Sequence, residues 1–281
     1  MIVQERAELK LTLLDGGRVR LDGGAMFGVV PKPLWERRRP ADERNRIELA
    51  MNCLLIEDGA RRVLVDNGAG DKWDEKSRDI YGLQPKNAEA LLAPAGIVPE
   101  DIDVVVLTHL HFDHAGGSTV RHGDGLRPAF PNARYVVQRG ELALARLDNE
   151  RIRASYLAEN FEPLAEEEDR LQIVDGDTFL FPWLELRLVP GHTPFMQMVL
   201  VRDGAGTVAF PADLVPTASH VPYPWIMGYD LEPLATLETK KRVFPEAVRE
   251  DWTVLFEHDA ELPWGMLRQD GARLTAVATE P

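Results

Sequence analysis

The feature that most constrains this sequence is a cluster of three histidines and one aspartate within six residues. The cluster reads His109-Leu110-His111-Phe112-Asp113-His114. It directly follows the stretch 103–108, whose apolar centre is typical of a strand buried on both faces. Side chains alternate along an extended segment, so His109 and His111 point to the same side. Because imidazole and carboxylate groups bind zinc and similar ions, the cluster predicts a metal site at the end of this strand.

Three more candidate ligands also come directly after strand-like segments. They are His192, Asp213 and His258, which follow the predicted strands at 184–189, 207–210 and 253–256. Ends of strands are places where a rigid scaffold can present side chains to a common point. Together the candidates comprise five histidines and two aspartates, which is enough for two ions that share a carboxylate.

Composition excludes several other classes of protein. The single cysteine, Cys53, lies in an apolar run, so we expect a buried thiol and no cysteine-rich zinc site. The net charge of −14, with no basic patch, argues against nucleic acid and anionic membrane surfaces as partners. Charged residues interrupt the first 14 positions, where a signal peptide would be apolar, and we therefore expect a cytoplasmic protein.

The order of predicted elements indicates an α/β protein. Predicted strands lie at 9–14, 18–21, 53–56, 62–65, 103–108, 134–138, 171–174, 184–189, 195–201, 207–210 and 253–256, and predicted helices at 140–147, 150–158 and 232–249. The turn signals Asp15-Gly16-Gly17 and Asp58-Gly59 predict two hairpins. Two batches of strands, each followed by helices, suggest sheets packed on each other with helices outside, in a single domain of residues 1–281.

The segment 23–48 differs from its surroundings because it is rich in proline and arginine. Such a composition is typical of an irregular arm and not of a core element. It is either a surface loop, or a lid or dimer arm, so a homodimer is one possibility.

The motifs together resemble the metallo-β-lactamase superfamily. The resemblance is carried by Thr108-His109-Leu110-His111-Phe112-Asp113-His114-Ala115-Gly116-Gly117, by Gly191-His192-Thr193, by Asp213 and by His258, in that order. It implies an αββα four-layer sandwich with an irregular N-terminal arm and a site for two divalent metal ions at one edge of the two sheets. Zinc is the expected metal, with iron, manganese and cobalt as alternatives.

The resemblance also implies a role for each ligand. One metal would be held by His109, His111 and His192, and the other by Asp113, His114 and His258. Asp213 would bridge the two metals, and Asp113 would be catalytic because it orients a metal-bound hydroxide. Asp66 matches a family position whose side chain supports the metal ligands without binding the metal itself. An aspartate that serves only a turn is an equally good interpretation.

Within the superfamily, the sequence is similar to the branch of N-acyl homoserine lactone lactonases and methyl parathion hydrolases. The similar segments are 24–32 and 229–233. Similarity to this branch implies that the protein opens the rings of lactones, with N-acyl homoserine lactones as the first expected substrates. A metal-bridging hydroxide would attack this small apolar substrate. The alternatives are a phosphotriesterase or aryl esterase of the methyl parathion hydrolase type, and a metal-binding regulatory protein without turnover.

Aromatic and imidazole side chains near these motifs are candidates for substrate contact. They are Phe27, His220, Tyr223 and Trp225. An apolar lining of this kind favours an acyl or aryl group over a sugar phosphate. For each residue, packing in the core is the competing reading.

Overall fold

The structure is a computed structural model that describes residues 2–6, 8–167 and 169–279. Its strands are β1 (Ile2–Glu5), β2 (Lys10–Asp22), β3 (Arg46–Glu57), β4 (Arg62–Val65), β5 (Gln84–Pro85), β6 (Val104–Val106), β7 (Thr119–His122), β8 (Gly125–Pro128), β9 (Arg134–Gln138), β10 (Leu171–Val174), β11 (Thr178–Phe181), β12 (Leu184–Leu188), β13 (Gln197–Asp203), β14 (Gly206–Phe210), β15 (Thr253–Leu255), β16 (Trp264–Asp270) and β17 (Arg273–Ala278).

The α-helices are short except for the last one. They are α1 (Gly23–Phe27), α2 (Lys32–Trp35), α3 (Glu75–Ile80), α4 (Ala88–Leu92), α5 (Phe112–Ala115), α6 (Arg139–Ala145), α7 (Glu162–Glu166) and α8 (Pro233–Arg249). Single 3₁₀ turns lie at Ala93–Ala95, Pro99–Asp101, Gly116–Ser118, Ala158–Asn160, Ala212–Leu214 and Ala218–His220. None of the helices in the described ranges is both long enough and apolar enough to cross a bilayer.

The chain forms two compact units, each built from two segments. Unit 1 contains the described residues of 1–18 and 51–176, and unit 2 contains those of 19–50 and 177–281. The expectation of one domain over 1–281 stays a prediction.

The sheet of unit 1 positions the histidine cluster. Its strand order is β1-β2-β3-β4-β6-β9-β10, with β5 paired to β2. β4, β6, β9 and β10 are parallel neighbours, and β6 is buried along its length, as its apolar sequence predicts. The hairpin predicted around Asp58-Gly59 is confirmed, because β3 and β4 pair in antiparallel register. The cluster at 109–114 therefore follows the carboxyl end of a central parallel strand.

The other predicted hairpin is wrong. β2 runs without interruption from Lys10 to Asp22, through the Gly16-Gly17 pair that was expected to form the turn. A Cβ atom on Gly16 would lie 2.5 Å from the carbonyl oxygen of Met51, and Gly17 has a φ of 115° beside Pro85 of β5. The two glycines allow the backbones of neighbouring strands to approach closely within the sheet. Local sequence does not distinguish this use of glycine from its use in a turn.

Unit 2 contains a second sheet and the long helix. Its strand order is β11-β12-β13-β14-β15-β16-β17, and all neighbours are antiparallel except β14 and β15. α8 packs against β16 and closely matches the helix predicted at 232–249. Three strands of this sheet, β11, β16 and β17, were not predicted. In unit 1, the helix predicted at 150–158 is also wrong, since that segment forms turns.

The arm at 23–48 is better packed than its composition predicted. It holds α1 and α2, and the Asp22 side chain caps α1 by accepting a hydrogen bond from the backbone N–H of Ala25 at 2.8 Å. Phe27 and Trp35 are buried, with ring centroids 5.5 Å apart. Both rings belong to the core of unit 2, so part of the arm is packed, and its role as a surface loop, a lid or a dimer arm stays a prediction.

We expect the substitution Gly16→Ala to destabilise the protein by about 1–3 kcal/mol, because the added methyl group must displace the backbone of a neighbouring strand. Chemical denaturation measures the change. Gly204→Ala is the matched control, since a Cβ atom there meets nothing within 4 Å. Equal stability of the two variants would contradict the close approach at Gly16.

Candidate metal centre

The histidine cluster of unit 1 is compact and buried. The ligand atoms of His109 lie within 4.8 Å of those of His111 and of His114. The carboxylate of Asp113 lies 3.9 Å from Nε2 of His114. His111 stands directly before α5, whose first turn carries Asp113 and His114. The turn from strand end to helix thus brings all four predicted ligands of the cluster together, as the motif indicated.

Asp66, at the end of β4, fixes the orientation of two of these histidines. Its buried carboxylate accepts hydrogen bonds from Nδ1 of His114 at 3.0 Å and from the hydroxyl of Thr108 at 2.6 Å. The oxygen of that hydroxyl lies 3.1 Å from Nδ1 of His109 and accepts from it. Asp66 therefore contacts a predicted ligand directly, as a supporting residue would, and its role behind a metal site stays a prediction. With Nδ1 occupied, His109 and His114 present Nε2 as the metal-binding nitrogen.

A second acidic side chain, Glu141 of α6, holds the backbone between two predicted ligands. It is fully buried and accepts hydrogen bonds from the N–H of Leu110 at 3.1 Å and from the hydroxyl of Tyr156 at 2.7 Å. The ring of Tyr156 in turn packs edge-on against His111, with centroids 4.6 Å apart. Nothing in the sequence indicates this contact, because Glu141 looks like an ordinary helix residue 31 positions from Leu110.

Unit 2 contributes a carboxylate with a histidine on each side. Nε2 of His192 lies 3.1 Å from Oδ2 of Asp213, and Nε2 of His258 lies 3.1 Å from Oδ1. All three side chains are buried. Each oxygen of Asp213 therefore faces a different histidine, which is one arrangement in which a carboxylate can be shared by two cations.

The histidines of unit 2 are also anchored through Nδ1. His192 donates to Oδ1 of Asp230 at 3.0 Å, and His258 donates to the carbonyl oxygen of Ala50 at 2.7 Å. The other oxygen of Asp230 accepts from the hydroxyl of Thr236 at 2.5 Å. Asp230 was missed as a site residue, since nothing in its local sequence links it to a histidine 38 positions earlier.

The donor set fits divalent metal ions. When Nδ1 alone carries a proton, Nε2 of His192 and of His258 each directs a lone pair toward an oxygen of Asp213. Such contacts are repulsive unless a positive charge lies between the groups. Imidazole nitrogen with carboxylate oxygen is a donor set that zinc, iron, manganese and cobalt accept.

Two of the residues predicted to contact substrate lie inside unit 2. The rings of Phe27 and His220 are fully buried and stacked, with centroids 4.6 Å apart. Nε2 of His220 donates to the carbonyl oxygen of Met26 at 2.8 Å, and Nδ1 accepts from the hydroxyl of Thr217 at 2.8 Å. Burial lowers the pKa of His220 to about 3, so the ring is neutral. Contact with a substrate would require this stack to open, and it stays a prediction.

The other two, Tyr223 and Trp225, are partly exposed. Tyr223 stacks on Phe244 with centroids 5.9 Å apart, and Trp225 meets the edge of Phe27 at 5.6 Å. The segment that bears them is fixed by Lys240, whose buried ammonium donates to the carbonyl oxygens of Trp225 and His220 at 2.7 and 2.8 Å. Burial lowers the pKa of Lys240 to about 7. Their contact with substrate also stays a prediction.

Comparison with known proteins identifies the family to which this chain belongs. The sequence profile of the metallo-beta-lactamase superfamily matches residues 47–261, which is most of the chain. The chain belongs to the metallo-beta-lactamase superfamily. It is a hydrolase of that superfamily, and the predicted family and α/β fold class are confirmed.

Individual proteins show the same similarity. An N-acyl homoserine lactonase from a Bacillus species is 30% identical over 231 residues, which cover 76% of this chain and 83% of the relative. A probable metal-dependent hydrolase from Staphylococcus aureus is 29% identical, has a TM-score of 0.89 and matches 99% of both chains. AidC, a dizinc quorum-quenching lactonase solved with a product, has a TM-score of 0.83 at 20% identity and matches 99% of this chain and 96% of its own. The fold is therefore the metallo-beta-lactamase fold.

We expect Asp230→Asn to weaken metal binding by about 10–100-fold, because the carboxylate that orients His192 through Nδ1 is lost. Competition with a chromogenic chelator measures the affinity. Asp175→Asn is the matched control, since the side chain of Asp175 is exposed. An affinity equal to that of the control would show that Asp230 does not support the site.

We expect Glu141→Ala to lower metal affinity as well, since it leaves the buried N–H of Leu110 without its acceptor at a cost of about 1–3 kcal/mol. Glu141→Gln keeps Oε1 and should restore most of the affinity. The same chelator competition compares the two variants. If both bind metal as tightly as the unmodified protein, Glu141 has no role in placing His109 and His111.

Proposed function

We propose that the chain is a two-metal hydrolase that opens the ring of N-acyl homoserine lactones. The observation that carries the two-metal part is the carboxylate of Asp213, with Nε2 of His192 and Nε2 of His258 each 3.1 Å from a different oxygen. The lactone part is supported by the Bacillus lactonase, which is similar over most of both chains. AidC, which shares the fold, is a dizinc lactonase, so zinc is the ion we propose first.

The proposed ligand sets are those that the resemblance to the superfamily implies. One ion would be bound by His109, His111 and His192, and the other by Asp113, His114 and His258. Asp213 would be shared by both ions. This division agrees with the contacts inside unit 2, where His192 and His258 approach opposite oxygens of Asp213. When bound, the two ions would polarise the carbonyl of the substrate and lower the pKa of water.

Asp113 is the proposed catalytic residue. Its carboxylate is largely buried and lies beside His114, at the start of α5. It would accept the proton of the attacking water and return it to the ring oxygen that leaves. The ester C–O bond of the lactone breaks in this step, and the products are a carboxylate and an alcohol on the same molecule.

The surroundings of the cluster in unit 1 suit an apolar substrate. Phe112, between two predicted ligands, packs against Trp73 with ring centroids 5.0 Å apart and against Tyr81 at 5.2 Å. These three rings form an apolar wall next to His111 and Asp113. An acyl chain gains free energy by leaving water for such a wall, whereas a sugar phosphate would not.

The test is hydrolysis by the purified protein of three matched substrates. They are N-hexanoyl-L-homoserine lactone, a phenyl hexanoate ester and a dialkyl aryl phosphotriester. We expect the highest kcat/KM with the lactone, loss of turnover on chelation, and recovery when zinc is added back. A large excess of phosphotriester or aryl ester turnover over lactone opening would overturn the lactonase proposal and support the methyl parathion hydrolase type.

We expect Asp113→Asn to lower kcat by about 10²–10⁴-fold, because the general base is lost. Metal content and kcat are measured on the same sample, so that loss of an ion is distinguished from loss of the base. Asp124→Asn is the matched control, since Asp124 is exposed on a loop. Full activity in Asp113→Asn would rule out the catalytic role.

A further inference from the structure

Unit 2 contains a cleft whose lining includes none of the predicted metal ligands. Its volume is about 290 Å³, close to the lower end of small-molecule sites. One wall is the segment 222–225, the other is the segment 272–275 at the start of β17, and Arg38 of the arm completes the lining. Within the cleft, the positively charged groups are Arg38 and Arg273.

Arg38 is held in a defined orientation. Its guanidinium group stacks on the ring of Trp225 at 4.1 Å from the centroid, and one nitrogen donates to the carbonyl oxygen of Ser219 at 3.3 Å. Trp225 is itself fixed, since Lys240 binds its carbonyl oxygen and Phe27 packs against its ring. Stacking covers a face of the guanidinium and leaves its remaining edge N–H groups directed in the plane, where they can bind a planar acceptor.

Neither arginine of the cleft forms a close ion pair within the described part of the chain. No carboxylate among the residues that the structure describes lies within 4.0 Å of either guanidinium, whereas the neighbouring Arg39 is paired with the buried Asp259. Burial and the charge of Arg273 lower the pKa of Arg38. Two like charges that face one cleft raise its free energy, and a bound anion would relieve that cost.

We propose that this cleft binds a small organic carboxylate with a short apolar tail. The carboxylate would pair with the edge of Arg38, and Arg273 would supply the second positive charge. The rest of the lining includes Pro222, Tyr223 and Pro224, against which the tail would pack. Such a lining suits an alkyl or aryl carboxylate better than a hydrated phosphate ester. The cleft contains none of the proposed metal ligands, although two of its residues, Tyr223 and Trp225, are also predicted to contact substrate.

The test is a titration of the metal-loaded protein with sodium hexanoate, followed through the indole N–H signal of Trp225 in NMR spectra. The signal is assigned with Trp225→Phe. Hexanamide, which is isosteric and neutral, and inorganic phosphate are titrated in parallel. We expect a saturable shift with hexanoate, no saturation with hexanamide, and weaker binding of phosphate. Absence of a saturable shift with hexanoate, or equal affinity for hexanamide or phosphate, would overturn the proposal.

Variants then locate the site. We expect Arg38→Gln and Arg273→Gln each to weaken hexanoate binding by about ten-fold, because each variant loses one charge-assisted hydrogen bond to the carboxylate. Arg38→Lys keeps the charge but loses the planar fork, and should also bind more weakly. Arg37→Gln, at an exposed neighbouring position, is the control and should bind as the unmodified protein does. Metal content of every variant verifies folding. Unchanged affinity in both Arg38→Gln and Arg273→Gln would assign the signal to another site and overturn the proposal.

Discussion

The orientation of the histidine rings is the constraint on which the proposed metal centre depends. His114 and His192 donate Nδ1 to the buried carboxylates of Asp66 and Asp230, and His258 donates to a backbone carbonyl group. A ring that is fixed in this way can turn only Nε2 toward a metal ion. The ligand geometry is thus set by groups that lie behind the histidines, and those groups are in turn fixed by the strands and helices that bear them.

Each unit uses the ends of its strands to place these groups. In unit 1, Asp66 directly follows β4, and β6 leads into the cluster at 109–114, so Asp66 and the predicted ligands follow neighbouring parallel strands. In unit 2, β14 leads to Asp213 and β15 to His258 in the same way, and these two strands are also parallel neighbours. Parallel strands end at the same edge of a sheet, which is why residues distant in sequence meet there.

The site residues that the sequence singles out are grouped locally or fall at the end of a clear strand. The cluster at 109–114 is identified by its own spacing, and His192, Asp213 and His258 by the apolar runs before them. Contacts that arise only from packing left no such signal: Asp230 and Glu141 look like ordinary acidic residues until the fold brings them to a histidine or to the backbone of Leu110. The Gly16-Gly17 pair was misread for the same reason, because a turn and a close strand contact place the same demand on a glycine.

The central claim is that Asp213 serves two ions at once, and the most direct test is the number of metal ions bound per chain. Inductively coupled plasma mass spectrometry on protein saturated with zinc and freed of excess ion measures it. The account predicts two ions per chain, one ion in His192→Ala, and fewer than one in Asp213→Ala, because that single side chain contributes to both sets. One ion per chain in the unmodified protein, or two in Asp213→Ala, would contradict it.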